Sequence, residues 1–358
     1  MAGDEPLAHS QGGGWLGGID MSTTAAWNSR RLSPEPPAKV YHWRIGRYAV
    51  VFSGSWGSTI QHVRALGDGN CLVESQSEAD LVMVDCVSST GSPANMPFTV
   101  SVSDKGTPDH GGLVTAMTSS PSPSGRQVIG TSTSSVGGTA VYERTAPGTY
   151  LVDLPYLGAN GPGHPETYVV TPRFMTSADP WSDPGLMSDI LCGTVDKSVI
   201  SASSGTVRRV KIFCRNNATG LPADTTLNIT YTNGTNPLGV GGVGETIMSA
   251  PLVSWDGIDN LADYQVRNVI YGASGGASVS RAGKGVYTVR LPHQAWGLSQ
   301  PSVMVTTDTT ALRCFALPIG YPVSVDDPGV DSQRVTVICK DRQQYVDTAF
   351  HLQFMIGQ

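Results

Sequence analysis

Along the chain, short stretches alternating apolar with polar residues are separated by clusters of Gly, Ser, Asp and Pro. That is the pattern of half-buried antiparallel strands joined by turns. The clearest runs are Tyr48-Ala49-Val50-Val51-Phe52, Leu81-Val82-Met83-Val84, Tyr150-Leu151-Val152-Asp153-Leu154, Val207 to Phe213, Tyr287-Thr288-Val289-Arg290-Leu291 and Val335-Thr336-Val337-Ile338. With 42 glycines and 24 prolines among 358 residues, and only 15% charged residues, the chain suits many short strands and argues against helical bundles. The expected fold class is all-β.

The strand runs recur in a fixed order three times. In each copy a Gly-x-Tyr opens a strand, two Cys-bearing strands follow, and a further strand closes the unit. The copies start at Gly46-Arg47-Tyr48, Gly148-Thr149-Tyr150 and Gly285-Val286-Tyr287. Their cysteines are Cys71 and Cys86, Cys192 and Cys214, and Cys314 and Cys339, which uses all six in the protein. Copies two and three align without a gap over Arg144 to Pro155 and Arg281 to Pro292. Such self-similarity predicts tandem homologous modules, repeated to build length.

Folding residues 71–86 about Ser77 to Asp80 sets Leu72 opposite Asp85, Val73 opposite Val84, and Cys71 opposite Cys86. Directly opposed residues at a non-hydrogen-bonded site have Cα atoms about 4.5 Å apart, within disulfide reach. The same construction pairs Cys314 with Cys339 and, over a longer loop, Cys192 with Cys214. Buried free thiols are the alternative, because Cys is also a small hydrophobe. A zinc site is disfavoured: no CxxC occurs, the histidines lack ligand spacing, and no metal or cofactor is expected.

The resulting organisation is an extended N-terminal arm (1–39), β module 1 (40–104), a Gly/Ser/Pro-rich connector (105–139), β module 2 (140–233), a second connector able to supply extra strands (234–276), and β module 3 (277–358). The arm is too rich in glycine for a stable helix. Its Trp15, Leu16 and Trp27, with Trp255 of the second connector, are the candidate interface anchors, since aromatic anchors are typical of interfaces.

The net charge of −6 and the absence of a basic stripe exclude nucleic acid as a partner. The doublet Arg208-Arg209 reads as solvated or carboxylate-paired. No run approaches the roughly 20 apolar residues of a membrane span. The polar, acidic N-terminus lacks the plan of a signal peptide, so either a leader has been removed or export follows another route, such as particle assembly and lysis. Disulfides would point to an oxidising setting, extracellular, periplasmic or virion. The sequons at Asn217, Asn228 and Asn233 are read as chance occurrences in a Thr-rich chain.

Candidate chemistry is sparse, and no catalytic residue is assigned. Gly272-Ala273-Ser274-Gly275-Gly276 fits the nucleophile-elbow pattern, but a strand-like run follows where the elbow needs a helix. Asp326, Asp327 and Asp331 read as a hairpin turn in preference to a calcium loop. Asp179, Asp183 and Asp189 read as solvated loop acids.

The third copy displays the module most fully: Gly285-Val286-Tyr287-Thr288-Val289, Val303-Met304-Val305, Cys314, Val335-Thr336-Val337-Ile338-Cys339 and Asp347-Thr348-Ala349-Phe350-His351-Leu352. The first copy has Asn95 in place of the closing Asp, and the second has Asp224 with Leu227 in place of Phe. This pattern resembles a Cys-containing β-sandwich repeat of surface or secreted proteins of actinobacteria and related bacteria and of their phages. The resemblance implies three tandem antiparallel β-sandwich-like modules and a structural or adhesive role without catalytic residues. The expected protein is therefore a virion component of tail or capsid surface, homo-oligomeric and contacting other virion or surface proteins. The alternatives are a secreted module binding glycan or protein, with Trp56, Trp181, Trp255 and Trp296 as candidate contact residues, and a hydrolase using Ser274.

Overall fold

A computed structural model describes residues 7–8, 15–16, 19–21, 38–52, 59–74, 81–104, 113–157, 166–174, 189–202, 205–233, 245–250, 266–269, 278–292, 302–308, 311–317 and 332–355. These are strands and turns throughout, and among them no helix is long and apolar enough to cross a membrane. The N-terminal segment carries Leu7–Ala8 (β1), Trp15–Leu16 (β2) and Ile19–Met21 (β3). Module 1 contains Ala38–Arg44 (β4), Arg47–Phe52 (β5), Thr59–Ala65 (β6), Gly69–Glu74 (β7), Leu81–Ser88 (β8) and Phe98–Asp104 (β9). Ahead of module 2 come Leu113–Met117 (β10), Gln127–Val128 (β11) and Thr131–Ser134 (β12). Module 2 itself has Val141–Ala146 (β13), Thr149–Pro155 (β14), Glu166–Phe174 (β15), Ile190–Ala202 (β16), Gly205–Asn216 (β17) and Thr226–Asn233 (β18). Ahead of module 3 come Glu245–Ala250 (β19) and Val266–Val269 (β20). Module 3 has Ser278–Gly283 (β21), Val286–Pro292 (β22), Ser302–Thr307 (β23), Arg313–Ala316 (β24), Ser332–Asp341 (β25), Gln344–Tyr345 (β26) and Phe350–Met355 (β27).

Each module is a sandwich of two layers. One layer runs β4-β5-β8-β7, β13-β14-β17-β16 or β21-β22-β25-β24; the other is built on β6-β9, β15-β18 or β23-β27. Between the layers lies one apolar core per module, centred on Tyr48, Tyr150 or Tyr287 and the adjacent cystine. Residues 105–139 and 234–276 supply matching additions: β10 extends the second layer on β18 and β12 pairs β10, as β19 extends it on β27 and β20 pairs β19. Among the described residues, β9 of module 1 pairs β6 alone.

The disulfides Cys71–Cys86, Cys192–Cys214 and Cys314–Cys339 are formed, with Cα–Cα distances of 4.1, 4.2 and 4.1 Å. The register is the one the sequence suggests, with Cys71 opposite Cys86, Leu72 opposite Asp85, and Phe315 opposite Ile338. The second cysteine of each pair turns its backbone away from its partner. Cys86, Cys214 and Cys339 donate N–H to the carbonyls of Gly46, Gly148 and Gly285 at 2.6, 2.7 and 2.7 Å. Their own carbonyls accept from the N–H groups of Ala94, Ala223 and Val346, each at 3.1 Å. The cystine therefore occupies a non-hydrogen-bonded site, where opposed strands come closest.

That junction explains the recurring Gly-x-Tyr. The three glycines sit at φ +74°, +63° and +65°, where a Cβ would also press on the cysteine carbonyl. Their N–H groups donate to Asn95 Oδ1, Asp224 Oδ1 and Asp347 Oδ1 at 2.8, 2.7 and 2.7 Å. The tyrosine hydroxyls of Tyr48, Tyr150 and Tyr287 accept N–H from Met96, Thr225 and Thr348 at 3.1, 2.9 and 2.9 Å. Arg144 and Arg281 then anchor the two carboxylates, with His42 bonded to Asn95 in the first copy. Burial alone would raise the Asp224 and Asp347 carboxyls, but these hydrogen bonds outweigh it and hold both below the usual carboxylate range. Asn95 thus performs the backbone role of the missing Asp.

The expectation that the modules repeat to build length is corrected: they close on themselves. Strand β6 packs on β18 of module 2, β15 on β27 of module 3, and β23 on β9 of module 1. In the reverse sense β15 meets β7, β23 meets β16, and β6 meets β24. The three equivalent strands β6, β15 and β23 also touch one another. A linear array would leave these polar-apolar strands facing water, whereas a closed triangle buries all three at once.

Candidate functional site at the threefold axis

Strand registers define which residues are equivalent around the axis. Because Ala65, Pro172 and Thr307 lie opposite Phe98, Leu227 and Phe350, one layer contains Arg64, Thr171 and Thr306. Two residues earlier, the next layer contains His62, Val169 and Met304. Val169 and Met304 pack together as a small buried cluster.

Each inter-module contact repeats with different chemistry. Thr99 Oγ1 donates to the Val303 carbonyl at 3.1 Å, Asn228 Nδ2 donates to the Gln61 carbonyl at 2.5 Å, and the His351 ring meets the Tyr168 ring edge-on at 5.3 Å. Thr99, Asn228 and His351 are register-equivalent, and so are Val303, Gln61 and Tyr168. His62 bridges to module 2, its Nδ1 and Nε2 lying 2.9 and 2.7 Å from the hydroxyls of Thr171 and Thr230. Burial, reinforced by the Arg64 charge, pulls its pKa down to about 3, so the ring is neutral at physiological pH.

Arg64 reaches both other modules. Its Nε donates to the Val305 carbonyl at 2.8 Å, and one terminal nitrogen bonds the Val170 carbonyl and, at 3.3 Å, Thr306 Oγ1. Among the described residues it has no carboxylate partner; burial pulls its pKa to about 10, leaving it charged.

Beside this layer, toward the cystines, lies a second polar group. Asp189 accepts from Asn70 of module 1 at 3.1 Å, from Asn217 at 2.7 Å and from Arg313 of module 3 at 3.0 Å. Arg313 and Lys340 also pair with Asp68 at 3.3 and 2.6 Å. Arg215 donates to the Ala311 carbonyl at 2.6 Å and to Asp341 at 2.7 Å, tying module 2 to module 3. On the flank, Asp308 joins Lys197 and His351, the imidazole at 3.1 Å. Burial lowers the His351 pKa despite its carboxylate neighbour; the Asp308 carboxyl is depressed by its contacts with His351 and Lys197 in spite of its own burial.

These placements correct one sequence reading. Asp189 is not a solvated loop acid: it is buried, with its side chain 2% exposed, and holds residues of three modules. Arg208 and Arg209 are carboxylate-paired, with Glu166 and Asp153. Asn217 and Asn228 of two sequons are buried at 2% and 0% exposure, which closes them to glycans. The backbone of Trp15 and Leu16 lies in β2, antiparallel to β1. Trp27, Trp255, Trp56, Trp181, Trp296, Ser274, Asp326, Asp327, Asp331, Asp179 and Asp183 lie outside the described residues. Among the described residues, no group of three His, Cys, Asp or Glu is placed to hold a metal ion.

Sequence reasoning missed His62, Arg64, Asp68 and Arg313. A usable signal existed in the internal alignment, because positions 62, 169 and 304, and 64, 171 and 306, differ in chemistry inside strands that are otherwise alike. Comparison with protein-family models, with characterised proteins and with solved structures returns no match.

Proposed function

We propose that the protein is a non-enzymatic structural component of an assembled particle, specifically a phage virion protein of the tail or capsid surface. The observation that supports this reading is where the ionisable side chains go. Arg64, Asp68, Asp189, Arg215, Arg313, Lys340, Asp308 and His351 are spent on joining three modules into one closed body. Three cystines staple that body, as suits an oxidising, non-cytoplasmic destination. Partner contacts belong to the N-terminal arm, with Trp15, Leu16 and Trp27 as its candidate anchors, to the segment carrying Trp255, and to the edge of β9 that pairs no strand among the described residues. An unpaired strand edge is a template for strand addition by another chain.

Sedimentation of purified particles followed by immunodetection tests the reading, together with the oligomeric state of full-length protein and of a variant lacking residues 1–37. Co-sedimentation, and loss of higher-order assembly in the truncated variant, is the expected result. A stable monomer absent from purified particles sinks the proposal.

A further inference from the structure

A cavity of about 30 Å³ lies at the axis between the Arg64 layer and the cystine ends of modules 2 and 3. Its walls come from all three modules and include Arg64, Asn70, Thr306, Thr307 and Arg313. Cavities of this size admit one or two water-sized occupants. No carboxylate is among the lining residues, although two guanidinium-bearing side chains are.

The charges around the cavity do not cancel. Among the described residues bonded into the cavity's polar lining, Asp189 and Asp68 provide two negative charges, whereas Arg313, Lys340 and Arg64 provide three positive ones; the neighbouring Asp308–Lys197 and Asp341–Arg215 pairs each cancel internally. Arg64 is satisfied by carbonyls and a hydroxyl, which accept its hydrogen bonds but leave its charge uncompensated. Arg313, with a side chain 2% exposed, leaves its buried Nε–H without an acceptor among the described residues. A buried charge without a counter-charge is costly, and an orphaned buried donor adds a smaller cost of its own.

We propose that the axial cavity binds one small monovalent anion, chloride, held between Arg64 and Arg313 with the Thr306 hydroxyl completing its shell. Chloride supplies the missing charge, accepts the orphaned N–H, and matches a space that admits one or two water-sized occupants. Because the anion touches all three modules, it acts as a bolt on the closed triangle.

The test is a crystal of the full chain soaked in bromide, read by anomalous scattering. A bromide peak in the cavity within hydrogen-bonding reach of Arg64 or Arg313 is expected; ordered water with no anomalous peak overturns the proposal. In solution, the melting temperature is compared in sodium chloride and sodium gluconate at equal ionic strength. Chloride should raise it saturably by roughly 2–4 °C, and Arg64→Met should abolish that difference. Identical wild-type melting in the two salts overturns the proposal too. If Arg64→Met fails to fold, the wild-type bromide experiment still decides.

Discussion

Replacing Gly285 by Ala tests whether the Gly-x-Tyr turn is demanded by packing or by backbone conformation alone. At φ +65° any L-residue pays about 1–2 kcal/mol for the left-handed region. A Cβ built there would also lie 2.5 Å from the Cys339 carbonyl oxygen and 2.7 Å from the Val346 nitrogen, both backbone atoms. Relief requires shifting a junction that holds three hydrogen bonds: Cys339 N–H to Gly285 O at 2.7 Å, Val346 N–H to Cys339 O at 3.1 Å, and Gly285 N–H to Asp347 at 2.7 Å. Weakening two of them adds about 2 kcal/mol, for a total near 3. Gly125 is the matched control: its φ is +71°, yet nothing lies within 4 Å of the Cβ position, so Gly125→Ala should cost only about 1 kcal/mol. Urea unfolding followed by tryptophan fluorescence measures both variants. A difference near 2 kcal/mol is expected; equal losses would refute the packing argument.

Three further outcomes follow from the same geometry. Thiol titration of native, unreduced protein should find no free cysteine, and Cys71→Ser with Cys86→Ser, which opens a 15-residue separation, should cost about 3 kcal/mol; six titratable thiols would sink the assignment. Tyr150→Phe should cost about 2 kcal/mol, because the hydroxyl accepts from Thr225 N–H at 2.9 Å and donates to the Pro121 carbonyl at 2.7 Å; an unchanged urea midpoint would contradict it. His62 has its folded pKa lowered to about 3, so below its unfolded value near 6.5 the unfolded chain binds a proton that the folded chain refuses. Stability conferred by neutral His62 is therefore lost as pH falls from 6 to 4, by about 1.4 kcal/mol per pH unit. Asp85, raised to about 6 by burial, acts in the opposite sense, so the informative quantity is the wild-type stability minus that of His62→Gln at each pH; a pH-independent difference would defeat the argument.

Local grammar was legible where its cause is local. Strand alternation and turn residues betray β structure, and the fold about residues 77–80 sets the Cys71–Cys86 register because pairing there depends on nearest chain neighbours. The closed triangle was not legible. Its contacts join residues such as Arg64 and Val305, or Asn70 and Asp189, far apart in the chain, and no periodicity marks them. Asp189 shows the reason: flanked by an apolar run and a loop, it reads as a loop acid until Asn70 and Arg313 arrive from other modules. The first connector was misleading for a related reason, whereas the second supplies the extra strands its apolar run suggested. Gly- and Ser-rich composition signals turns, but Leu113–Met117 still finds β18, since an edge strand needs only backbone groups to pair.

Covalent fusion of the three modules also explains why the axis is chemically uneven. In a trimer of identical chains, a residue at position 64 would appear three times around one axis, and three guanidiniums there would repel in a poorly hydrated space. In this chain the equivalent places hold Arg64, Thr171 and Thr306, so one cation can be accepted by carbonyls of both other modules. The layer of His62, Val169 and Met304 follows the same logic, one polar ring filling the gap beside two apolar side chains. Tandem repetition thus preserves the shape of a trimer while allowing a single charge at its centre. That single charge is what makes an anion a fitting occupant, where three would demand several counterions and none would demand nothing.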